Sequence, residues 1–308
     1  MPLKFIRCCN QRFNVEEALE HLEGRNNKCE WTWELASAML AGETNHPSND
    51  DPTQISTTTL TGKCLRQQAF TRYNDYDSTF ADLYARFRGT LFHGQMERWA
   101  RPGSYGEARF FIRDIGKLLP EVRKALPRMD RSFSGSPDLV DPKAGVLFDY
   151  KRTKSVPRFD TVWGDHVEQL NVNRWLVDKA DSVDVKVGAD QGEGFDLSLP
   201  GVRARFVPVD WQELVIVYVD DMGPKPITVT ESIQVPKVGG VGTKAARVPA
   251  IWSDDRIEAY ITARYIEARM ALLARSAPVP EGWEEASHVL CGYCPVRKLC
   301  LENQHEGV

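Results

Sequence analysis

Gly135-Ser136-Pro137-Asp138-Leu139-Val140-Asp141-Pro142-Lys143-Ala144-Gly145-Val146-Leu147-Phe148-Asp149-Tyr150-Lys151 is the stretch on which the fold turns. Asp141 to Gly145 is built of turn residues. The apolar run from Gly145 to Tyr150 reads as a buried strand, with Ser136 to Val140 as its hairpin partner. Asp138 and Asp149 stand eleven residues apart across that hairpin. Neighbouring strands lie about 4.8 Å apart, which lets both carboxylates face one point. Period-two alternation puts Lys151 on the face of Asp149.

Two carboxylates hold a hard divalent cation such as Mg2+ or Mn2+ through oxygen, with waters retained. Such a cation lowers the pKa of its water and offsets charge on a phosphate under attack. A lysine beside that water orients it and stabilises the growing negative charge. The backbone carbonyl of Tyr150 is a further oxygen donor. The plain alternative is a surface hairpin with Asp–Lys pairs. Against it stand the apolar strand and Pro137, which restricts the backbone just before Asp138.

Working outward, Tyr84 to Trp99 reads as a helix that holds His93 and Glu97 four apart on one face. A neutral imidazole suits manganese-like ions, so His93 is a candidate ligand, ahead of Glu97. Arg109 to Ile112 reads as a strand. Asp165-x-x-Glu168 resembles a capping box and opens a helix to about Ala180, with Gln169 in its first turns. Arg152 and Lys154 carry positive charge beyond the strand, and Arg66 lies upstream. These are candidate phosphate contacts, with a solvated basic patch as the alternative. Leu214 to Val219 reads as a strand, with Ile227 to Thr230 able to pair with it. Ser253-Asp254-Asp255 opens a long helix with an apolar stripe of Ile257, Ile261, Tyr265, Ala268 and Leu272.

Cys291, Cys294 and Cys300 stand as Cys-x2-Cys-Pro-x4-Cys, and Cys64 lies in Thr61-Gly62-Lys63-Cys64-Leu65-Arg66. Three local thiolates need a fourth ligand, and Cys64 is the natural one. It is expected on a helix capped by Ser56-Thr57-Thr58-Thr59-Leu60. Spacing alone does not separate zinc from an iron–sulfur cluster. Cys8, Cys9 and Cys29 read as free thiols, while Cys9, His21 and Cys29 form the alternative of an N-terminal zinc site. Asn14 to Leu22 reads as a short helix. The polar linker Gly42 to Pro52 separates an accessory segment, 1–50, from a main domain, 51–308, in which 183–250 is a β-rich part or an insertion.

The chain has 308 residues with a formal net charge of −4, which disfavours a passive DNA-coating protein more than a DNA enzyme. Seven cysteines with no signal-peptide apolar region fit a cytoplasmic chain whose thiols bind metal. No apolar run of about 18 residues is present, so no membrane helix is expected.

Together these residues resemble the RecB-like branch of the PD-(D/E)XK nuclease superfamily. The likeness is strongest to its iron–sulfur subgroup, which includes AddB-type nucleases and the exonuclease of CRISPR spacer acquisition. The resemblance covers about residues 55–303. It is carried in order by Cys64-Leu65-Arg66, Gly89 to His93, Gly135 to Asp138, Asp149-Tyr150-Lys151, Gln169 and the three late cysteines. One position departs: the family's Gln-x-x-x-Tyr tyrosine is Asn173 here, with Trp175 as a candidate substitute. The resemblance implies an α/β restriction-endonuclease-like core, a mixed central sheet flanked by helices. It implies a [4Fe–4S] cluster on Cys64, Cys291, Cys294 and Cys300, joining the first helical segment to the C-terminal tail. That cluster would be structural, because closing a loop of more than two hundred residues restricts the unfolded chain. The implied activity is a Mg2+- or Mn2+-dependent deoxyribonuclease, an exonuclease on single-stranded DNA ends in recombination, repair or replication. Asp138, Asp149, Lys151 and Gln169 would be catalytic, and His93, Asp138, Asp149 and Tyr150 metal-binding. Implied partners are DNA and a recombination, helicase or integrase protein. The rival readings are a CRISPR-type nuclease acting with an integrase, a non-catalytic DNA-binding scaffold and a zinc-ribbon interaction protein.

Overall fold

In the computed structural model the described residues are 3–9, 11–23, 31–44, 53–74, 76–98, 103–106, 108–152, 162–184, 209–220, 223–229, 232–235, 246–249, 251–277 and 294–302. The chain opens with β1 (Leu3–Cys8), β2 (Gln11–Asn14), α1 (Val15–Glu23) and α2 (Trp33–Thr44). Next come β3 (Ile55–Ser56), α3 (Thr57–Thr61), α4 (Leu65–Tyr73), β4 (Tyr76–Thr79) and α5 (Phe80–Arg98). The middle holds β5 (Tyr105–Gly106), β6 (Arg109–Ile112), a 3-10 turn (Ile115–Lys117), α6 (Pro120–Ala125), β7 (Phe133–Gly135), β8 (Leu139–Asp141), β9 (Val146–Arg152) and α7 (Gly164–Lys179). Then follow β10 (Ser182–Asp184), β11 (Glu213–Asp220), β12 (Gly223–Val229), β13 (Ser232–Val235), β14 (Ala246–Pro249), α8 (Asp254–Ala274) and α9 (Arg297–Glu302).

This is a mixed α/β protein in two compact units. One unit comprises Met1–Gln54, Gly62–Leu91 and Glu267–Val308; the other comprises Ile55–Thr61 and Phe92–Ile266. In the first unit β1 pairs antiparallel with β2 and parallel with β4. That pairing ties the N-terminal segment to residues past position 51. Asn14 caps α1 reciprocally: its Oδ1 accepts from Glu17 N at 2.8 Å, and Glu17 Oε2 accepts from Asn14 N at 2.9 Å. Ile6, Ala18, Leu22, Ala36, Met39, Phe80 and Leu83 form the core of this unit.

The second unit carries a five-stranded sheet in the order β12-β11-β9-β8-β5 and a four-stranded sheet in the order β10-β6-β7-β3. Both are mixed: β11 runs parallel to β9 and β3 to β7, while the other ladders are antiparallel. Side chains of β9 alternate between two covered faces. Phe148 and Tyr150 pack with Val215, Val217, Phe92 and Met96 on one face. On the other, α7 packs on β9 and also reaches β6 and β7 of the second sheet. Burial on both faces is why β9 and β11 read as nearly continuous apolar runs. β11 is the parallel partner of β9 in this sheet.

Gly135 is required by close approach. A Cβ there would lie 2.5 Å from Thr57 Cγ2 and 2.8 Å from Leu176 Cδ2. Gly145, at φ +69°, closes the β8–β9 turn in the left-handed region.

Two local expectations are corrected. The Ser/Thr run does not open one helix through Cys64. Ser56 caps the short α3, the chain leaves helical geometry, and Cys64 at φ −125°, ψ 99° is the N-cap of a separate helix, α4. The cap of α7 is Trp163, with no side-chain bond, and not Asp165. The stripe of α8 is as expected, with Ile257, Ile261, Tyr265, Ala268 and Leu272 all buried. No helix among the described residues is long and apolar enough to cross a membrane.

Candidate active site

The β8–β9 ladder pairs Leu139 with Phe148 and Val140 with Leu147. One step further along the same register, Asp138 stands opposite Asp149. The ladder stops there, and Asp138 Oδ2 accepts the Tyr150 backbone N–H at 2.5 Å. Its other oxygen, Oδ1, lies 3.1 Å from His93 Nδ1, on the later part of α5. One carboxylate therefore links the end of a strand ladder to a helix.

Asp149 and Lys151 share the face toward α7. Lys151 Nζ is 3.0 Å from Asp149 Oδ1 and 2.9 Å from Oδ2, and it donates to Gln169 Oε1 at 2.8 Å. Gln169, on α7, thus meets the lysine. Asp149 is 1 % exposed and Asp138 9 %.

Burial pushes the Asp149 carboxyl above the usual carboxylate range, and the neighbouring Asp138 adds to it, against the pull of Lys151. Burial works against charge on Lys151 as well, but Asp149 and Asp138 overcome it and hold the ammonium above its ordinary value. Burial thus dominates at Asp149, while the paired carboxylate charge dominates at Lys151. Asp149 Oδ2 is buried, with the Lys151 ammonium 2.9 Å away. Two buried carboxylates against one ammonium leave surplus negative charge, which fits a hard divalent cation.

Three neighbours escaped the sequence reading. Tyr218 stands opposite Lys151 across the parallel β9–β11 ladder. Its hydroxyl accepts from Trp163 N at 3.1 Å and lies 2.8 Å from His166 Nδ1. Burial raises its pKa. The Asp165 charge acts on both Lys151 and Tyr218. Asp165 and His166 lie four and three residues before Gln169, so helical spacing alone points to them.

Other candidates fall differently. Arg66 is buried, with its guanidinium 5.1 Å from the Phe70 ring centroid. Trp175 is 1 % exposed and donates to Glu258 Oε1 at 3.2 Å, so it does not stack on bases. Asn173 is equally buried, and neither amide atom has a hydrogen-bond partner among the described residues. Lys154, Cys29 and Cys291, and the side chains of Glu97 and Arg152, lie outside the described residues.

Cys64, Cys294 and Cys300 belong to the first unit and carry no disulfide. The helix that Cys64 caps, α4, packs on α9, which carries Cys300. Cys64 Sγ accepts the Gln67 backbone N–H at 3.3 Å. Soft sulfur donors with an amide bond to sulfur fit a thiolate-bound cluster. The group whose ligand atoms all lie within 4.8 Å of one another among the described residues is a different one, Cys8, Cys9 and His21, which could hold a metal ion. The set of His93, Asp138 and Asp149 is wider than that, with the Lys151 ammonium against both oxygens of Asp149.

No protein-family model matches the chain, and no curated protein matches it. Among solved structures, the chain described as "Crystal structure of SSO0001" is similar at 12 % sequence identity and a TM-score of 0.47, over 87 % of this chain and 94 % of that one.

Proposed function

We propose that this chain is a divalent-metal-dependent DNA nuclease of the PD-(D/E)XK type, acting on single-stranded ends in recombination, repair or replication. One observation carries the reading: Lys151 bridges Asp149 and Gln169 on a buried strand, while Asp138, opposite Asp149 in register, holds the Tyr150 N–H and His93. Asp138, Asp149, His93 and the Tyr150 carbonyl would hold Mg2+ or Mn2+. When bound there, such an ion supplies an acidified water and positive charge against the phosphate. Lys151, fixed by Asp149 and Gln169, donates to that water and to the charge that grows on phosphorus-bound oxygen. Water oxygen bonds to phosphorus as the P–O bond to the leaving sugar oxygen breaks; the water gives up a proton to solvent and the leaving oxygen takes one up, so a phosphate end and a hydroxyl end result.

Cys64, Cys291, Cys294 and Cys300 would hold a [4Fe–4S] cluster. The reading makes it a structural brace, since the described cysteines and the carboxylate set belong to different units. End-labelled single- and double-stranded DNA with Mn2+, Mg2+ or EDTA tests the proposal. Metal-dependent shortening by the wild type, abolished in Lys151→Ala, is expected. A folded wild type that binds DNA but never cuts it leaves the scaffold reading in its place.

A further inference from the structure

We infer that Cys8, Cys9 and His21 form a second metal site, selective for zinc and separate from both the carboxylate set and the late cysteines. Two distances within the first unit carry it. The two thiol sulfurs are 3.5 Å apart. Tetrahedral zinc with Zn–S bonds of about 2.3 Å requires sulfurs about 3.8 Å apart, so a small adjustment suffices. The His21 ligand atom lies within 4.8 Å of both sulfurs.

The backbone serves the same end. Cys8 pairs with Gln11 at the tip of the β1–β2 hairpin, and Cys9 follows at φ 51°. That left-handed position normally selects Asn or Gly, and another residue there costs about 1–2 kcal/mol. A cysteine at this corner turns its thiol back toward Cys8. His21 is in the last turn of α1, and Phe13 of β2 stacks on its ring at 4.7 Å and 24°. The stack fixes the imidazole plane.

Cys8 is buried while Cys9 is exposed. The site is therefore dry on one side and open on the other, where water completes the tetrahedron. Two thiolates and one neutral imidazole leave a zinc complex with no net charge, which suits a half-buried place. Each thiol loses its proton to solvent as the metal binds, so affinity falls in acid.

The test uses the full-length protein, purified anaerobically, chelated and titrated with Co2+. Wild type is expected to develop the thiolate-to-cobalt charge-transfer band and tetrahedral d–d bands, both erased by Zn2+. Cys9→Ser and His21→Ala should weaken binding by more than about 100-fold, beyond the 10–100-fold of an outer-shell partner. Cys64→Ser should keep the signal. His21→Cys should keep it with a stronger charge-transfer band, which separates lost ligation from lost folding. No tetrahedral cobalt spectrum in the wild type overturns the inference. So does a spectrum unchanged in both Cys9→Ser and His21→Ala, or an intact mass showing Cys8 and Cys9 joined as a disulfide.

Discussion

Replacing Lys151 by alanine removes the ammonium that contacts both oxygens of Asp149 and the carbonyl of Gln169. Breaking a buried ion pair from one side costs about 3–5 kcal/mol, because a buried charge is left alone. The Lys151 side chain keeps 21 % exposure, which places the cost near the lower end, about 3 kcal/mol. For a folding unit of this size that is a fall of roughly 6–12 °C in thermal midpoint. Cleavage should fall further than stability explains, by about 10²–10³-fold, the usual effect of deleting one donor to a charged transition state. A second variant separates the two effects. Asp149→Val with Lys151→Met replaces the pair by apolar groups, a change that is often neutral or stabilising. Its midpoint should return toward wild type while cleavage stays lost. The assay is Mn2+-dependent shortening of end-labelled single-stranded DNA, below the variants' midpoints. Wild-type cleavage by either variant would refute the reasoning and leave the pair as a structural contact.

Gly135→Ala should destabilise by about 1–3 kcal/mol through overpacking against Thr57 and Leu176, read from thermal unfolding. Asn173→Leu should stabilise by about 1–3 kcal/mol, since it removes an amide that is buried without hydrogen bonds; a lower midpoint would mean the amide has a partner. Hydrogen bonds from Arg131 hold the Asp114 carboxyl below its usual range, burial opposing. Its contribution is therefore present above the unfolded-state pKa of about 3.9 and is lost as pH falls through the lower folded value. The midpoint gap between wild type and Asp114→Asn should be full at neutral pH and close in acid.

What was legible followed from local rules. Alternation along a strand put Asp149 and Lys151 on one face, while Gln169 entered the candidate site through the family resemblance. The apolar stripe of α8 is likewise a local pattern. What was not legible depends on partners distant in the chain. Tyr218 enters the site because β11 runs parallel to β9, a register that no local pattern encodes. The N-terminal hairpin joins later residues because β1 pairs with β4. Cys9 and His21 were visible as ligand types, but only the hairpin turn adds Cys8. The break at Cys64 was missed because Ser56 and Cys64 each cap a helix, where one cap seemed enough.

Asp138 shows why the site lies where the sheet changes. Continued register would set Pro137 opposite Tyr150, and proline has no N–H to give to the Tyr150 carbonyl. The ladder therefore ends, and the Tyr150 N–H is met by the Asp138 carboxylate in place of a backbone carbonyl. A strand residue directs its N–H and C=O to the same side, so the Tyr150 carbonyl projects toward the same edge as Asp138. The residue that stops the strand thus leaves a carbonyl and a carboxylate adjacent, two hard oxygen donors of the kind a divalent cation takes. An amide at position 138 could still accept the Tyr150 N–H through its own oxygen. Asp138→Asn should accordingly keep the fold, read from an unchanged thermal midpoint, and on the proposed reading lose Mn2+-dependent cleavage of end-labelled DNA; a folded variant that cleaves like wild type would refute that role.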